Sequence, residues 1–299
     1  MRIFALVKLF RTFISRAIQI CQLEIHAQFQ KNSLSRANAR RTFFKRTMAV
    51  AKGKRTFSWY AREVTLESRF GPVLIHVHDF LAKQIKLSSD LTDEITILDI
   101  GANVGQFGIA MLRNFDAVTI FSFEPNQVPF RILQMNSVSE SSWHVFNKGI
   151  AEAAQKSDFY WTPGRSGQGS IHSANASLDL FNKSGADVMQ NTVDLIAIDD
   201  AIAIMGNKNS FDLVKIDVEG LEAEILKQLH LINWRYVLVE VSQKRNGCLS
   251  ELEALGLLRS EFAYPEMISR FGNIKSSTYD ILVKNTQYNE GKAGIPPLT

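Results

Sequence analysis

The sequence predicts an α/β fold: a mostly parallel sheet with helices on both faces, ending in an antiparallel hairpin and preceded by a basic helical N-terminal extension. Three observations carry this. From about Leu66 onward, short apolar runs alternate with amphipathic helical patterns, the order that builds a parallel sheet. Two runs end in an acidic residue beside a turn: Ile97-Leu-Asp-Ile-Gly-Ala-Asn-Val-Gly-Gln106 and Phe121-Ser-Phe-Glu124-Pro125. The last two runs have no helical pattern between them, which makes a hairpin that adds one antiparallel strand.

Element by element, the pattern predicts a strand over 73–77 with a helix over 78–85, a strand over 95–100 and a helix over 104–115. Strands follow at 118–123, 143–147 and 158–161, with a helix over 126–136. A strand at 211–217, a helix at 221–229 and a strand at 236–241 continue the alternation. A helix over 250–255 is expected to stop at Gly256, before strands near 259–264 and 278–284. Residues 162–191, with Gly164, Gly167 and Gly169, read as a long functional surface excursion, and the tail after Asn285 as poorly ordered.

At 299 residues the chain holds one large domain and an appendage. Its hydrophobic content of 45% and charged content of 21% are those of a globular protein. Cys21 and Cys248 are its only cysteines, which excludes a disulfide framework or a thiolate metal site and fits a reducing compartment. The net charge of +4 hides an asymmetry: residues 1–60 carry thirteen Lys and Arg against Glu24 alone, so the remainder is at −8.

In the basic segment Ile3, Val7, Phe10, Ile14, Ile18, Cys21 and Ile25 recur at helical spacing. Lys8, Arg11 and Arg16 interrupt every uncharged run, which makes a poor membrane span, and the zones of a cleavable secretory signal are missing. Three readings remain: packing on the body, lying on an anionic membrane, or an organelle transit peptide. No recognition motif accompanies the charge, so no nucleic acid is expected. Residues 31–58 read as a helix and a connector near Gly53.

A dinucleotide fingerprint requires G-x-G-x-x-G after the first strand. Asn103 and Gln106 stand at its second and third glycine positions, so that fingerprint fails. The turn offers Asp99, Gly101, Asn103 and Gly105 instead, and neither glycine puts a Cβ in a ligand's path. Glu124, about twenty residues on, falls at the neighbouring strand tip within reach of a ribose. A ligand with an ammonium, a carboxylate and a ribose but no pyrophosphate suits this set. S-adenosylmethionine is such a ligand. Its carboxylate suits the N–H groups of the turn and helix start, its cationic groups the acidic strand ends, and its ribose hydroxyls Glu124.

In Asp212-Leu-Val-Lys-Ile-Asp-Val-Glu-Gly220, alternation projects Lys215, Asp217 and Glu219 to one side of a strand. Either Lys215 pairs with Glu219 while Asp217 caps the next helix, or this is the substrate side of the crevice at the strand ends, which is the favoured reading. His172, in the excursion, can face the acceptor or act as a base; His144, beside Trp143, is a core or surface residue. His76 and His78 have metal-ligand spacing on an extended strand, but nothing completes a site and no metal is expected. Glu240 lines the acceptor pocket or pairs with Arg235 or Lys244, and Asn103 adopts a left-handed conformation or binds the ligand.

The three motifs, in this order, with Asn147-Lys-Gly-Ile150, Gly169-Ser170 and Ile198-Asp199-Asp200 between them, resemble the FkbM family of class I methyltransferases over roughly residues 95–241. The resemblance implies a Rossmann-like seven-stranded sheet and methyl transfer from S-adenosylmethionine, usually to oxygen. Ile198 stands where the family more often has Leu, and the basic N-terminal region lies outside its pattern. The expected function is O-methylation of a hydroxyl on a small metabolite or glycan. Alternatives are N-methylation and a non-catalytic, membrane-associated protein that retains the fold. The expected domains are a basic helical extension over 1–60, a methyltransferase domain over 61–286 and a disordered tail over 287–299.

Asp99, Gly101, Asn103, Gly105, Glu124 and Asn147 are expected to serve the cofactor, Asp99 by ordering the glycine loop or reaching the amine through water. Asp217, Glu219 and His172 are the candidates for a base, with one of the two acids alternatively holding the cofactor's amine. The expected location is the cytoplasm, with peripheral membrane contact through residues 1–30 and organelle targeting left open.

Overall fold

The computed structural model describes residues 56–59, 62–65, 71–92, 94–161, 169–171, 188–218, 220–242, 249–262, 265–271 and 278–288. The expected N-terminal helix, most of the excursion with His172, Glu219, and the tail from residue 289 lie outside the described residues. A hairpin of β1 (Thr56–Trp59) and β2 (Arg62–Thr65) precedes helix α1 (Gly71–Ser88). Then come β3 (Glu94–Ile100), α2 (Gln106–Asn114), β4 (Ala117–Phe123), α3 (Gln127–Ser137) and β5 (Trp143–Phe146). Next are β6 (Gly149–Ile150), β7 (Gln155–Trp161), β8 (Met189–Ile196), α4 (Ile198–Ile204) and β9 (Ser210–Ile216). The chain continues through α5 (Glu222–Lys227), β10 (Asn233–Ser242), α6 (Glu251–Glu261), β11 (Pro265–Phe271) and β12 (Thr278–Asn285).

Among the described residues, seven strands form one sheet in the order β11-β12-β10-β9-β3-β4-β5. Its strands from β10 to β5 run parallel, and β12 enters antiparallel to both β10 and β11. This is the Rossmann-like arrangement that the sequence predicts. Strand alternation splits the core in two. Ile95 and Ile97 pack with α1, α2 and α3; Leu98 and Ile100 pack with α4, α5 and α6. A second sheet, β6-β8-β7, lies on the latter face through Ile150, Phe159 and Leu195. Each such buried aliphatic or aromatic side chain contributes about 1.5–3 kcal/mol.

Four expectations are corrected. Residues 73–77 are not a strand but the start of one helix, because Leu81, Ala82 and Ile85 carry a buried helical stripe onward. Positions 76 and 78, two apart on a helix, fall on different faces. Gly256 does not end α6: a Cβ there would meet open space, so the glycine costs only about 1 kcal/mol, and the Ser250–Glu253 capping box anchors the helix. Residues 259–261 therefore belong to α6, and the hairpin's first strand is β11. The end of the excursion is regular: Met189 to Asn191 open β8, which, like α4 and the hairpin β1–β2, the sequence reading did not predict.

The amino-terminal edge of the parallel strands is fastened by side chains. Asp90 accepts from the Tyr236 hydroxyl, from Arg235 at 3.1 Å and from Lys284 at 2.8 Å. Asp212 accepts the Thr96 N–H at 2.8 Å and the Tyr288 hydroxyl at 3.3 Å, so Tyr288, expected in the disordered tail, is docked on the body. Among the described residues, no helix is long and apolar enough to cross a membrane.

Candidate functional site

An open cleft lies at the carboxyl ends of β3, β4 and β9. Ile100, Gly101 and Asn103 form its floor, with Glu124 and Pro125 on one side and Asp217, Val218 and Leu221 on the other. Ile150, Phe159, Ile171 and Leu195 make an apolar wall, largely from the second sheet. The crevice at the carboxyl ends of an open parallel sheet is where such folds bind ligands.

The floor is shaped by left-handed backbone: Gly101 has φ +82°, Asn103 +51° and Gly105 +88°. A Cβ on Gly101 would overlap the Asp217 carbonyl, so only glycine lets the two strand ends meet this closely. Gly105 lies behind the floor, where a Cβ would press on Leu133 and the Trp143 ring at 2.8 Å. The Gly101 and Ala102 N–H groups both donate to the Phe123 carbonyl at 3.0 Å, tying the turn to β4.

Glu124 does more than face the cleft. Its two carboxylate oxygens accept the N–H groups of Asn103 at 2.9 Å and Asn126 at 2.8 Å, joining the turn to the start of α3. Burial raises its carboxyl to about 7, against the pull of those two amides. Asn147 stands behind it and donates to the Glu124 and Pro125 carbonyls at 2.9 and 3.0 Å.

Behind the floor runs a buried polar chain. The Trp143 indole donates to Ser122 at 3.0 Å, and the Ser122 hydroxyl donates to Asp99 at 3.1 Å. Lys215 follows, 3.6 Å from Asp99 and 3.2 Å from Asp217, and it also donates to the Gly101 carbonyl at 3.2 Å. The expected one-sided projection of Lys215 and Asp217 is thus present as an ion pair. Burial works against the charge of Lys215, but Asp217 and Asp99 outweigh it and hold its ammonium above the ordinary range. Burial likewise raises Asp99, whose Oδ1 has no hydrogen-bond donor. Half-buried Asp280, on β12, faces the same cluster: burial and the Asp217 charge raise it to about 7 against the pull of Lys215.

Of the sequence candidates, Gly101, Asn103, Glu124 and Asp217 line the cleft, whereas Asp99, Gly105 and Asn147 support it from behind. His144 is exposed and stacks on Phe121 at 4.9 Å. Arg235 pairs with Asp90 on the opposite edge. The sequence reading missed Ser122, Asp280 and the apolar wall; strand alternation was a signal for Ser122, and none existed for the wall. Among the described residues, no group of three or more His, Cys, Asp and Glu is placed to hold a metal.

The methyltransferase FkbM domain matches residues 99–270, more than half of the chain. The chain belongs to the FkbM methyltransferase family. Methyltransferase 1 of Beauveria bassiana is 29% identical over 191 residues, covering 60% of this chain and 74% of that protein. The 31-O-demethyl-FK506 methyltransferase FkbM of Streptomyces tacrolimicus is 26% identical, covering 53% of this chain and 69% of that protein. Among solved structures, the N-terminal domain of EvdMO1 with SAH bound covers 82% of this FkbM-family chain and 95% of its own, at 13% identity and a TM-score of 0.42. Magnesium protoporphyrin IX methyltransferase (ChlM) from Synechocystis PCC 6803 with bound SAM covers 73% and 83%, at 10% identity and a TM-score of 0.41.

Proposed function

We propose that this chain transfers the methyl group of S-adenosylmethionine to a hydroxyl of a small metabolite or glycan. The observation that carries the reading is Glu124: a buried carboxylate on the cleft wall, aligned by two backbone amides and opposite Asp217 across a glycine floor. The residues present fit the cofactor. Glu124 would accept from the ribose hydroxyls, and the backbone of Gly101 and Asn103 would lie along the methionine portion. Asp99 and Asp217 outnumber Lys215, so the floor carries surplus negative charge suited to a sulfonium and an ammonium. Gly105 and Asn147 would keep the turn and the Glu124 backbone in place.

S-adenosylmethionine supplies a methyl group on a positively charged sulfur. The acceptor oxygen forms a bond to that carbon as the carbon–sulfur bond breaks, and the hydroxyl proton must leave for a base. Asp217, one-third exposed at the cleft, is the first candidate for that base. Glu219 and His172 remain candidates on sequence grounds. The protein's remaining task is to align the reactants and exclude water, which the apolar wall serves. A second reading, methylation of an amine, draws support from the surplus of carboxylates, which would attract a cationic acceptor.

Incubating the chain and labelled S-adenosylmethionine with extracts of the native host, then identifying the product, tests the proposal. A methyl ether is expected; label found only on nitrogen would replace the first reading with the second. The location that goes with this reading is the cytoplasm, with residues 1–30 touching an anionic membrane. Liposome binding should then fall with added salt and on deleting those residues; binding indifferent to both would sink that part.

A further inference from the structure

Glu222 opens α5 but serves the residues before it. Its side chain is nearly sealed from solvent, at 4% exposure. Oε1 accepts the N–H of Val218 at 3.3 Å and that of Gly220 at 3.2 Å, and Oε2 accepts the Gly220 N–H at 3.0 Å. No side chain caps α5 at its N-cap, Leu221. The carboxylate instead collects the amides of the segment that leaves β9.

One of those amides has a second edge that matters. The Val218 N–H and the Asp217 carbonyl belong to the same planar peptide unit. That carbonyl is the group lying against Gly101, where no Cβ could fit. The residue also reaches back through its own N–H to the Ile100 carbonyl at 3.1 Å. Glu222 therefore grips one edge of a peptide plane whose other edge abuts the glycine turn. Val218, whose amide is gripped, and Leu221, just past Gly220, both line the cleft.

We propose that Glu222 is a positioning residue for the methyl-donor site: it fixes the Asp217–Val218 peptide against Gly101 and so sets the spacing between the glycine turn and Asp217. The proposal rests on the reading of the cleft as the S-adenosylmethionine site. Its alternative is a carboxylate that merely favours the start of a helix through its charge. The two make opposite predictions for two conservative variants. Glu222→Gln loses the charge and the second oxygen on Gly220 but keeps one oxygen that, like Oε1, can accept both amides. Glu222→Asp keeps the charge but is one methylene too short to reach them.

The test is calorimetric titration of the full chain and its variants with S-adenosylmethionine, at a temperature where circular dichroism shows each variant folded. Positioning predicts Glu222→Gln within about threefold of wild-type affinity and Glu222→Asp and Glu222→Ala at least about tenfold weaker, the scale of charge-assisted hydrogen bonds. Glu222→Asp near wild type with Glu222→Gln impaired, or no variant changed, would overturn the proposal while the cofactor reading stands. Absence of wild-type binding would overturn both. Should Glu222→Ala fail to fold, the order of Gln and Asp still decides.

Discussion

At the amino-terminal edge of the sheet, Asp90 accepts from Lys284, Arg235 and Tyr236, so one carboxylate meets two cations and a hydroxyl. At the carboxyl edge, Asp99 and Asp217 share one cation among the described residues, Lys215, with Asp280 and Glu124 within its electrostatic reach. Their titration differs accordingly. Burial opposes the charge of Asp90, but its donors outweigh burial and hold its carboxyl well below the usual range. Burial instead raises Glu124 and Asp280 to about 7. One edge is complete in itself and fastens strands together. Among the described residues the other holds more carboxylates than cations, and a cationic ligand would offset them.

The sharpest way to break this contrast is to remove a cation from each edge. Lys215→Met would leave buried Asp99 and one-third-exposed Asp217 without their cation and is expected to cost about 3–5 kcal/mol of stability, chiefly through Asp99. Lys284→Met, on the exposed Asp90 pair, should cost at most about 1 kcal/mol. Equal losses in urea unfolding would erase the difference between the edges.

Next in size is Glu124→Ala, expected to weaken S-adenosylmethionine binding by about 1.5–3 kcal/mol and to loosen the turn, since the Asn103 and Asn126 amides lose their acceptor. Unchanged calorimetric affinity would show that the ribose is held elsewhere.

The pH dependence separates the edges by sign. Asp90, lowered in the native state, stabilises the fold above its ordinary value of 3.8, and this is lost as pH falls through its native value. Glu124, raised from 4.5 to about 7, does the reverse: its proton stabilises the ligand-free fold below 4.5, and the benefit is lost as pH rises to about 7. Ligand-free stability should therefore decline between those values. Cofactor affinity, which needs the carboxylate, should fall by up to about tenfold per pH unit below 7. An affinity flat from about pH 5 to 8 would remove Glu124 as the titrating contact.

The stretch from β3 to β5 was legible because its strands are short, β3 and β4 close on an acid at a turn, and each helix carries a clear stripe. Val73-Leu-Ile-His-Val77 misled because a short apolar run fits a strand or a helix equally, and only the buried residues downstream decide. Strand β8 stayed hidden because only Val193 and Leu195 of its eight residues are buried. At the site, the sequence could place Asp99, Glu124, Lys215 and Asp217 at strand tips. It could not show that Glu124 binds the turn's own amide, or that Glu222 reaches back to Val218, because those contacts depend on how the loops close.

The central claim, that the under-neutralised edge is built for a cationic methyl donor, is tested most directly by titrating the full chain with S-adenosylmethionine at about pH 6.5 in two buffers of different ionisation enthalpy. The expected result is binding in about the micromolar range with protons released to the buffer as Glu124 gives up its own. No binding up to about millimolar cofactor, or binding without proton release, would contradict it.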